Sequence, residues 1–277
     1  MIRYTKFTAL REVLLWVAAL IYLAPFYFLV TMALKPDDES YASPLALPQS
    51  PTLANFAVLL ESQGNSNVLA GLLNSLVITA GSILGIVFLG SLAGYIIARS
   101  MRRWTRWAYY LFLIAIALPT QLGTVPLYMG ARAMGLTGSL WGMIVLYTGM
   151  LLPLAIFLYA GFFRGLGTEY EEAASIDGAS KTQIFLRVVL PLMSPATGTA
   201  AILCGLIVWN DFFTSLIFLS GSENQTLPVS MYYFIGSMVS QWNVIFAIVI
   251  ISMIPILFFY LIAQKKFIQG FAGGLKG

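Results

Sequence analysis

Long hydrophobic stretches alternate with shorter polar segments along this chain. A helix needs ~20 consecutive apolar residues to cross the hydrocarbon core of a bilayer. Six stretches reach that length, and most of the charged residues gather between them. The pattern predicts six transmembrane helices, at residues 13–34, 72–98, 107–129, 139–163, 196–219 and 244–263. The expected fold class is an all-α integral membrane protein in which residues 1–277 form a single transmembrane domain.

The composition is typical of a membrane protein, and it lacks residue types on which most enzyme classes depend. Apolar residues make up 59% of the 277 residues, and charged residues make up only 9%. Because the chain has no His, it lacks imidazole general bases and a common zinc and haem ligand. Its single Cys, Cys204, excludes an internal disulfide bond and a cysteine-cluster metal site. The apolar run after Arg11 is too long for a signal peptide, so it is expected to remain as the first span.

The positions of Lys and Arg predict the orientation in the membrane. Cytoplasmic loops carry an excess of these residues. With six crossings, every Lys and Arg except Lys35 and Arg132 falls on one side, at Arg3, Lys6, Arg11, Arg99, Arg102, Arg103, Arg106, Arg164, Lys181, Arg187, Lys265, Lys266 and Lys276. Both termini are therefore expected in the cytoplasm, and residues 226–242 form an outer, interfacial or re-entrant segment. The net charge of +4 follows from this asymmetry and does not indicate a nucleic-acid partner.

One polar, amphipathic segment, residues 169–195, stands out from this apolar background. Three carboxylates, at Glu169, Glu171 and Glu172, would occupy a first helical turn, where they favour the positive end of the helix dipole. The pair Asp177-Gly178 has the chemistry of a turn, since Gly adopts positive φ readily. A second helix is expected over residues 180–190, stopped by Pro191. The topology places this segment in the cytoplasm, between spans four and five.

This segment resembles the EAA motif in the permease subunits of bacterial ATP-binding-cassette (ABC) importers. The positions that fit the form found in carbohydrate importers of the maltose type are Glu172, Ala173, Ala174, Asp177, Gly178, Ala179, Phe185, Leu190, Pro191 and Pro195. Similar stretches elsewhere are Asn74-Ser75, Trp209-Asn210-Asp211-Phe212 and Thr226-Leu227-Pro228-Val229. The resemblance is to the smaller, six-span subunit of a permease pair and implies the type I ABC importer permease fold. The resemblance disfavours the alternative interpretation of residues 169–195, in which they form only a solvated loop lying on lipid headgroups.

The resemblance also implies a mechanism and a set of partners. Residues 169–192 would be a coupling loop that enters a groove of a separate ATPase through Glu172, Ala173, Ala174, Asp177, Gly178 and Ala179. The implied partners are a second homologous permease, two ATP-binding-cassette ATPase subunits, an extracytoplasmic solute-binding protein and membrane lipid, in the cytoplasmic membrane of a bacterium. ATP and Mg²⁺ would bind to the ATPases, and this chain would bind no cofactor. The implied substrate is a sugar or a related polyol.

The coupling segment contains a short run that superficially resembles a phosphate-binding loop, Gly178-Ala179-Ser180-Lys181-Thr182. A phosphate loop requires glycine immediately before the lysine and a buried strand ahead of the loop. Ser180 occupies the glycine position, and no such strand precedes it. The ATPase is therefore expected to be another chain.

Few polar residues fall inside the predicted spans. A polar side chain inside the bilayer costs free energy, so each one is expected to have a structural or functional role. Asp211 is the only acidic one. With Trp209 and Asn210 it would line a translocation path or pair with a partner subunit. The structural alternative is that Asn210 and Asp211 cap a broken helix or form a hydrogen bond across the bundle. Asn74 and Ser75, near the outer end of span two, have the same two interpretations, of which packing is favoured. The spacings Gly81-x-x-x-Gly85 and Gly90-x-x-x-Gly94 predict close packing between helices.

Two other classes of function remain open on physical grounds. A secondary transporter or channel would use ionisable residues inside the membrane for coupling, and Asp211 alone gives thin support. A membrane-embedded enzyme is disfavoured by the absence of His and of a nucleophile or paired-carboxylate constellation. The residues leave the choice of sugar or polyol open.

Overall fold

The computed structural model describes residues 6–61, 64, 67–237 and 241–274. The predicted cytoplasmic cations Arg3 and Lys276 lie outside these residues. The longer regular elements are helices, labelled in chain order α1 (Lys6–Ala33), α2 (Asp37–Ala42), α3 (Ala54–Glu61), α4 (Val68–Arg99), α5 (Arg103–Ala117), α6 (Thr124–Ala133), α7 (Leu140–Gly165), α8 (Glu169–Ile176), α9 (Lys181–Leu192), α10 (Ser194–Asn210), α11 (Phe213–Phe218), α12 (Leu227–Ser237) and α13 (Trp242–Gly274).

Within the described part of the chain, four helices are long and apolar enough to cross a membrane: Phe7–Ala33 of α1, α4, α7 and Trp242–Leu261 of α13. Two bent pairs bring the number to six if each pair is one span. These pairs are Arg103–Ala117 with Thr120–Ala133, bent by 98°, and Lys181–Leu192 with Ser194–Asn210, bent by 71°. The structure is that of a multi-pass membrane protein. Among the described residues, the short α12 is not one of the candidate spans.

The third predicted span, residues 107–129, is not one continuous helix. α5 ends at Ala117, and Leu118 and Pro119 both have extended backbones, with ψ of 129° and 120°. The physical reason is that proline disfavours the helical conformation of the residue before it. Pro126, in contrast, lies in the first turn of α6, where a missing N–H leaves no helical hydrogen bond unmade. The chain therefore bends at Pro119 and not at Pro126.

The fifth predicted span, residues 196–219, is also interrupted. α10 ends at Asn210, Asp211 is extended with φ −74° and ψ 114°, and α11 begins at Phe213. The Asp211 carboxylate accepts a hydrogen bond from the backbone N–H of Thr214 at 3.2 Å. Such a local bond competes with helical hydrogen bonding and favours a helix start. Both structural roles considered for Asp211 are therefore observed, because its second carboxylate oxygen also accepts a hydrogen bond across the bundle from the Tyr147 hydroxyl at 2.9 Å.

The chain divides into two compact units, residues 1–69 with 230–255 and residues 70–229 with 256–277. In the first unit, Lys35 is completely buried and donates hydrogen bonds to the backbone carbonyls of Ser43 and Pro44. The side chains of Asn55 and Asn243 both donate to the Lys35 carbonyl oxygen. Carbonyl oxygens therefore partly replace the water that this buried lysine loses. α1 exposes apolar side chains along most of its length, as expected of a surface that faces lipid.

In the second unit, α4 packs closely against α7 through the predicted glycine positions. A Cβ atom on Gly85 would lie 2.7 Å from Thr148 Oγ1, and one on Gly94 would lie 2.6 Å from Tyr159 Cβ. Gly81 and Gly90 are similarly tight against α7. A side chain larger than hydrogen would clash with α7 at these positions. The glycines therefore allow the backbone of α4 to lie directly against the side chains of α7. The close packing that we predicted is confirmed as contact within the chain.

Candidate functional site

The polar segment at residues 169–195 forms two helices separated by a tight turn, as predicted. Glu169, Glu171 and Glu172 occupy the first turn of α8, where the carboxylates favour the helix dipole. At the other end of α8, Gly178 has φ +82°. The N–H of Ala179 donates to the Ala174 carbonyl at 3.0 Å, and the N–H of Gly178 donates to Ser175 at 3.1 Å. These two bonds are a Schellman motif, in which glycine takes the left-handed position at little steric cost.

The second helix starts with a capping box and passes through Pro191. Ser180 Oγ accepts from the Gln183 N–H at 3.4 Å, and the Gln183 side chain accepts from the Ser180 N–H at 2.8 Å. The helix was expected to stop at Pro191, and this expectation is wrong, because α9 continues to Leu192. A π-helical turn at Ile184–Val189 precedes the proline, which then lies at the start of the last turn. There the missing N–H disrupts little of the hydrogen-bond ladder.

α9 holds the loop on the membrane helices through its apolar face. Ile184, Phe185 and Val189 are buried in one cluster with residues of α4, α7 and α10. Ala174 and Ala179 pack against the same cluster. Two of the small alanines of the motif therefore have a structural contact on their inner side.

A salt bridge fixes the beginning of the loop to the end of α4. Arg99 Nε donates to Glu171 Oε1 at 2.7 Å, and Arg99 Nη1 and Nη2 donate to the carbonyls of Phe163 and Leu166, both at 2.9 Å. Tyr95 donates its hydroxyl to Glu171 Oε2 at 2.7 Å. This one guanidinium thus joins α4, α7 and α8. Sequence reasoning assigned no such role to Arg99 or Glu171, because their meeting depends on how the helices pack.

The outer side of the loop presents most of the candidate coupling residues to solvent. Glu172, Ala173, Asp177 and Gly178 are exposed, and Ala174 and Ala179 are half-buried. Two apolar side chains add to this surface, with Tyr170 53% and Ile176 86% exposed. Tyr170 and Ile176 were not recognised in the sequence, although both lie inside the polar segment.

A cavity of about 270 Å³ lies at the break between α10 and α11. Asn210 and Asp211 line it, as do Gln121, Thr124 and Tyr147. The second carboxylate oxygen of Asp211 accepts a hydrogen bond from the Tyr147 hydroxyl at 2.9 Å, and that hydroxyl also lies 2.9 Å from Ser215 Oγ. The cavity therefore combines a carboxylate, amides and hydroxyls, which can form hydrogen bonds with sugar hydroxyls, with an aromatic ring against which a sugar ring can pack.

The other candidate path residues lie elsewhere. Trp209 is buried, and it does not belong to the described lining of the cavity. Asn74 donates to the Gln225 carbonyl at 2.9 Å, and Ser75 Oγ accepts from the Leu227 N–H at 2.8 Å. These bonds join α4 to the start of α12 and the residues just before it, and they correspond to the packing interpretation. Gln121, Thr124 and Tyr147 were missed because only the broken third span brings α6 beside α7 and α10.

Comparison with known proteins agrees with this architecture. The family model described as "Binding-protein-dependent transport system inner membrane component" matches residues 86–272. The chain belongs to this family of ABC importer permeases. It is 32% identical to the probable starch degradation products transport system permease protein AmyC of Thermoanaerobacterium thermosulfurigenes, over 93% of each chain. It is 33% identical to the melibiose/raffinose/stachyose import permease protein MelC of Bacillus subtilis, over 98% of this chain and 97% of that protein.

A solved structure confirms the fold. The crystal structure of a bacterial ABC transporter involved in the import of the acidic polysaccharide alginate superimposes with a TM-score of 0.81 at 22% sequence identity, over 96% of this chain and 100% of that chain. The family model and the relatives AmyC and MelC confirm the resemblance stated from the EAA motif, to permease subunits of carbohydrate ABC importers. The superposition confirms the predicted all-α fold of an ABC importer permease.

Proposed function

We propose that this chain is one of two permease subunits of an ATP-driven importer for neutral sugars in the cytoplasmic membrane of a bacterium. The observation that carries the proposal is the coupling loop: α8 and α9 are rigidly held on one side and expose the motif residues on the other. A helical lever of this kind transmits a rigid-body motion, whereas a flexible loop would absorb it. The loop would be the contact with a separate ATPase subunit.

The implied assembly contains a second homologous permease, two ATPase subunits and an extracytoplasmic solute-binding protein. ATP and Mg²⁺ would bind to the ATPases. ATP-driven closure of the two ATPases would move the coupling loops together and switch the path between inward-facing and outward-facing states. The cytoplasmic location of both termini and of residues 169–192 is supported by the distribution of Lys and Arg.

The proposed substrate class follows from the cavity and from the relatives. The names of AmyC and MelC refer to starch degradation products and to melibiose, raffinose and stachyose, all of them sugars. In the part of the chain that the structure describes, Asp211 is the one ionisable carboxylate of the cavity, and neither Lys nor Arg lines it. A lone carboxylate repels an acidic sugar and accepts hydrogen bonds from a neutral one. Neutral oligosaccharides are therefore favoured over uronates and sugar phosphates.

Reconstitution in vesicles tests the proposal. Vesicles that hold this chain, the second permease and the ATPase are supplied with the solute-binding protein and labelled raffinose, with ATP or with a non-hydrolysable ATP analogue. Uptake is expected only with ATP and only with the complete assembly. Uptake by this chain alone without ATP would instead identify a secondary transporter or a channel. An alginate oligosaccharide serves as the acidic comparison and is expected not to be taken up.

A further inference from the structure

A second cavity, of about 330 Å³, lies where the end of α4, the start of α5 and the end of α7 meet. Three arginines, Arg102, Arg106 and Arg164, contribute to its lining, and all three are exposed. Among the residues that the structure describes, none of the three forms a salt bridge, whereas the neighbouring Arg99 is paired with Glu171. The cavity therefore collects three positive charges without a compensating carboxylate, which favours an anionic ligand.

Two further features add to the positive character of this cavity. The Arg164 guanidinium carbon lies 4.4 Å from the centre of the Tyr109 ring, so a cation–π contact holds this charge on the cavity wall. α5 begins at the cavity after Arg102, and the Arg102 side chain at the N-cap position makes no capping hydrogen bond. The free N–H groups and the helix dipole make that end of a 15-residue helix electropositive. Guanidinium groups beside a helix N-terminus are a typical arrangement for binding phosphate.

Exposed aromatic residues place the cavity at the membrane surface. Trp104 is 59% exposed and Trp107 is 68% exposed, both in the first turns of α5. Trp and Tyr are enriched where the bilayer meets water, with their rings at the level of the headgroups. Tyr110 belongs both to this aromatic group, through its ring contact with Trp107, and to the lining of the cavity. The arginines therefore lie at the height of lipid headgroups.

We propose that this cavity binds the phosphate headgroup of an anionic phospholipid, with Arg102, Arg106 and Arg164 as its ligands. A free phosphate ion has the same charge chemistry, but the exposed tryptophans beside the arginines fit a headgroup with attached acyl chains. The site also adjoins the anchor of the coupling loop, because Ser100, next to Arg99, lines the cavity. A bound lipid would thus contact the segment that holds α8 in place.

Lipid titration of the purified importer complex tests this proposal. The complex in detergent is titrated with phosphatidylglycerol or phosphatidylcholine, and native mass spectrometry counts the lipids bound. The double variant Arg102→Gln/Arg106→Gln is compared with Arg11→Gln/Arg132→Gln, which removes the same charge from exposed positions outside the cavity. Each arginine near a membrane surface contributes ~1 kcal/mol to the binding of anionic lipid, which is about fivefold in affinity.

The expected result is one phosphatidylglycerol bound more tightly than phosphatidylcholine, and an affinity about 25-fold lower in the cavity variant than in the control variant. Equal lipid binding by the two double variants would overturn the proposal. Displacement of the lipid by millimolar inorganic phosphate would also overturn it, because the ligand would then be the free ion. If the double variant does not assemble, the single variant Arg106→Gln is titrated in its place, with an expected loss of about fivefold.

Discussion

The guanidinium of Arg99 lies 2.7 Å from the carboxylate of Glu171, although 72 residues separate the two in the sequence. Both side chains are largely shielded from solvent, with 18% and 15% of their surface exposed. The pair joins the last residue of α4 to the first turn of α8, and it does so where the membrane helices end and the coupling loop begins. It is therefore a rigid connection between the bundle and the surface proposed to contact the ATPase.

We expect Arg99→Gln to weaken both the fold and the coupling. The substitution leaves the Glu171 carboxylate and the carbonyls of Phe163 and Leu166 without their charged donor, at a cost of about 2 kcal/mol. Thermal melting of the assembled complex gives the stability, and substrate-stimulated ATP hydrolysis gives the coupling. The matched control is Glu169→Gln, an exposed carboxylate in the same helical turn, which is expected to cost under ~0.5 kcal/mol.

A double-mutant cycle on Arg99 and Glu171 separates their contact from effects of either residue alone. The coupling energy between Arg99→Gln and Glu171→Gln is expected to be about 1–3 kcal/mol, as for residues in one charged network. Purely additive losses would show that the ion pair does not hold the loop.

The turn at Gly178 gives a prediction that depends on backbone conformation alone. A Cβ at Gly178 would have no other described heavy atom within 4 Å, so a side chain meets no obstacle within the chain, but φ is +82°. Left-handed backbone costs ~1–2 kcal/mol for an ordinary residue, more for a β-branched one and less for asparagine. Gly178→Val is expected to reduce co-purification with the ATPase and to abolish transport, whereas Gly178→Asn retains most of both.

These two variants also distinguish the reasons for needing glycine. If Asn fails as completely as Val, the partner requires close approach to the Gly178 backbone, and the positive φ is not the cause. Normal assembly and transport by Gly178→Val would remove this glycine from the coupling mechanism.

Substitutions at Asp211 test whether the cavity at the α10–α11 break lies on the sugar path. Asp211→Ala removes a charged hydrogen-bond acceptor that faces the cavity, and such a bond contributes about 1.5–3 kcal/mol. A rise of about tenfold or more in the KM for sugar uptake is expected, measured on complexes that assemble to the wild-type level. Tyr147→Phe is the control that removes the bond to Asp211 while retaining the carboxylate and the aromatic ring. It is expected to change KM less.

The alternative for Asp211 is that the carboxylate only caps α11 and holds Tyr147. In that case Asp211→Ala and Tyr147→Phe both lower the melting temperature, and the KM of the surviving complexes stays at the wild-type value. This outcome would exclude Asp211 from the sugar path.

Close packing of α4 on α7 predicts that even one added methyl group is harmful. A Cβ at Gly94 would lie 2.6 Å from Tyr159 Cβ and 3.2 Å from the backbone nitrogen of Ala160, so the helices must move apart. Gly94→Ala is expected to destabilise the protein by about 1–3 kcal/mol, as for an overpacked core. Gly149→Ala, in α7 but with no described atom within 4 Å of its Cβ, is expected to be neutral or slightly stabilising. Equal melting temperatures for the two variants would contradict the tight contact.

Features that depend on a few neighbouring residues were predicted correctly from the sequence. The turn at Gly178 follows from Asp-Gly chemistry, and the helical start at Glu169 follows from three carboxylates near one helix end. The EAA resemblance identified the loop for the same reason, because its residues are contiguous. The helix was wrongly predicted to stop at Pro191. The expectation that proline ends a helix assumes α-helical hydrogen bonds, and the π-helical turn before Pro191 changes that pattern.

Only the folded structure shows which residues line each cavity. Tyr147 belongs to an apolar stretch with nothing local to set it apart, and it became a site residue only because the break at Asp211 turns the carboxylate toward it. Gln121 and Thr124 reached the same cavity through the 98° bend after α5. Trp209, next to Asn210 in sequence, is buried, since successive residues of a helix face different directions.

The sequence by itself determined that this is a multi-pass helical membrane protein of the ABC importer permease class with a polar, amphipathic segment at residues 169–195. Span length, loop charge and turn chemistry depend on residues that are close together in the sequence, so they can be predicted without the structure. The tertiary structure decided how that loop is anchored, where the third and fifth spans break, and which polar groups share a cavity. Each of these depends on contacts between helices distant in sequence, and their geometry is set by packing.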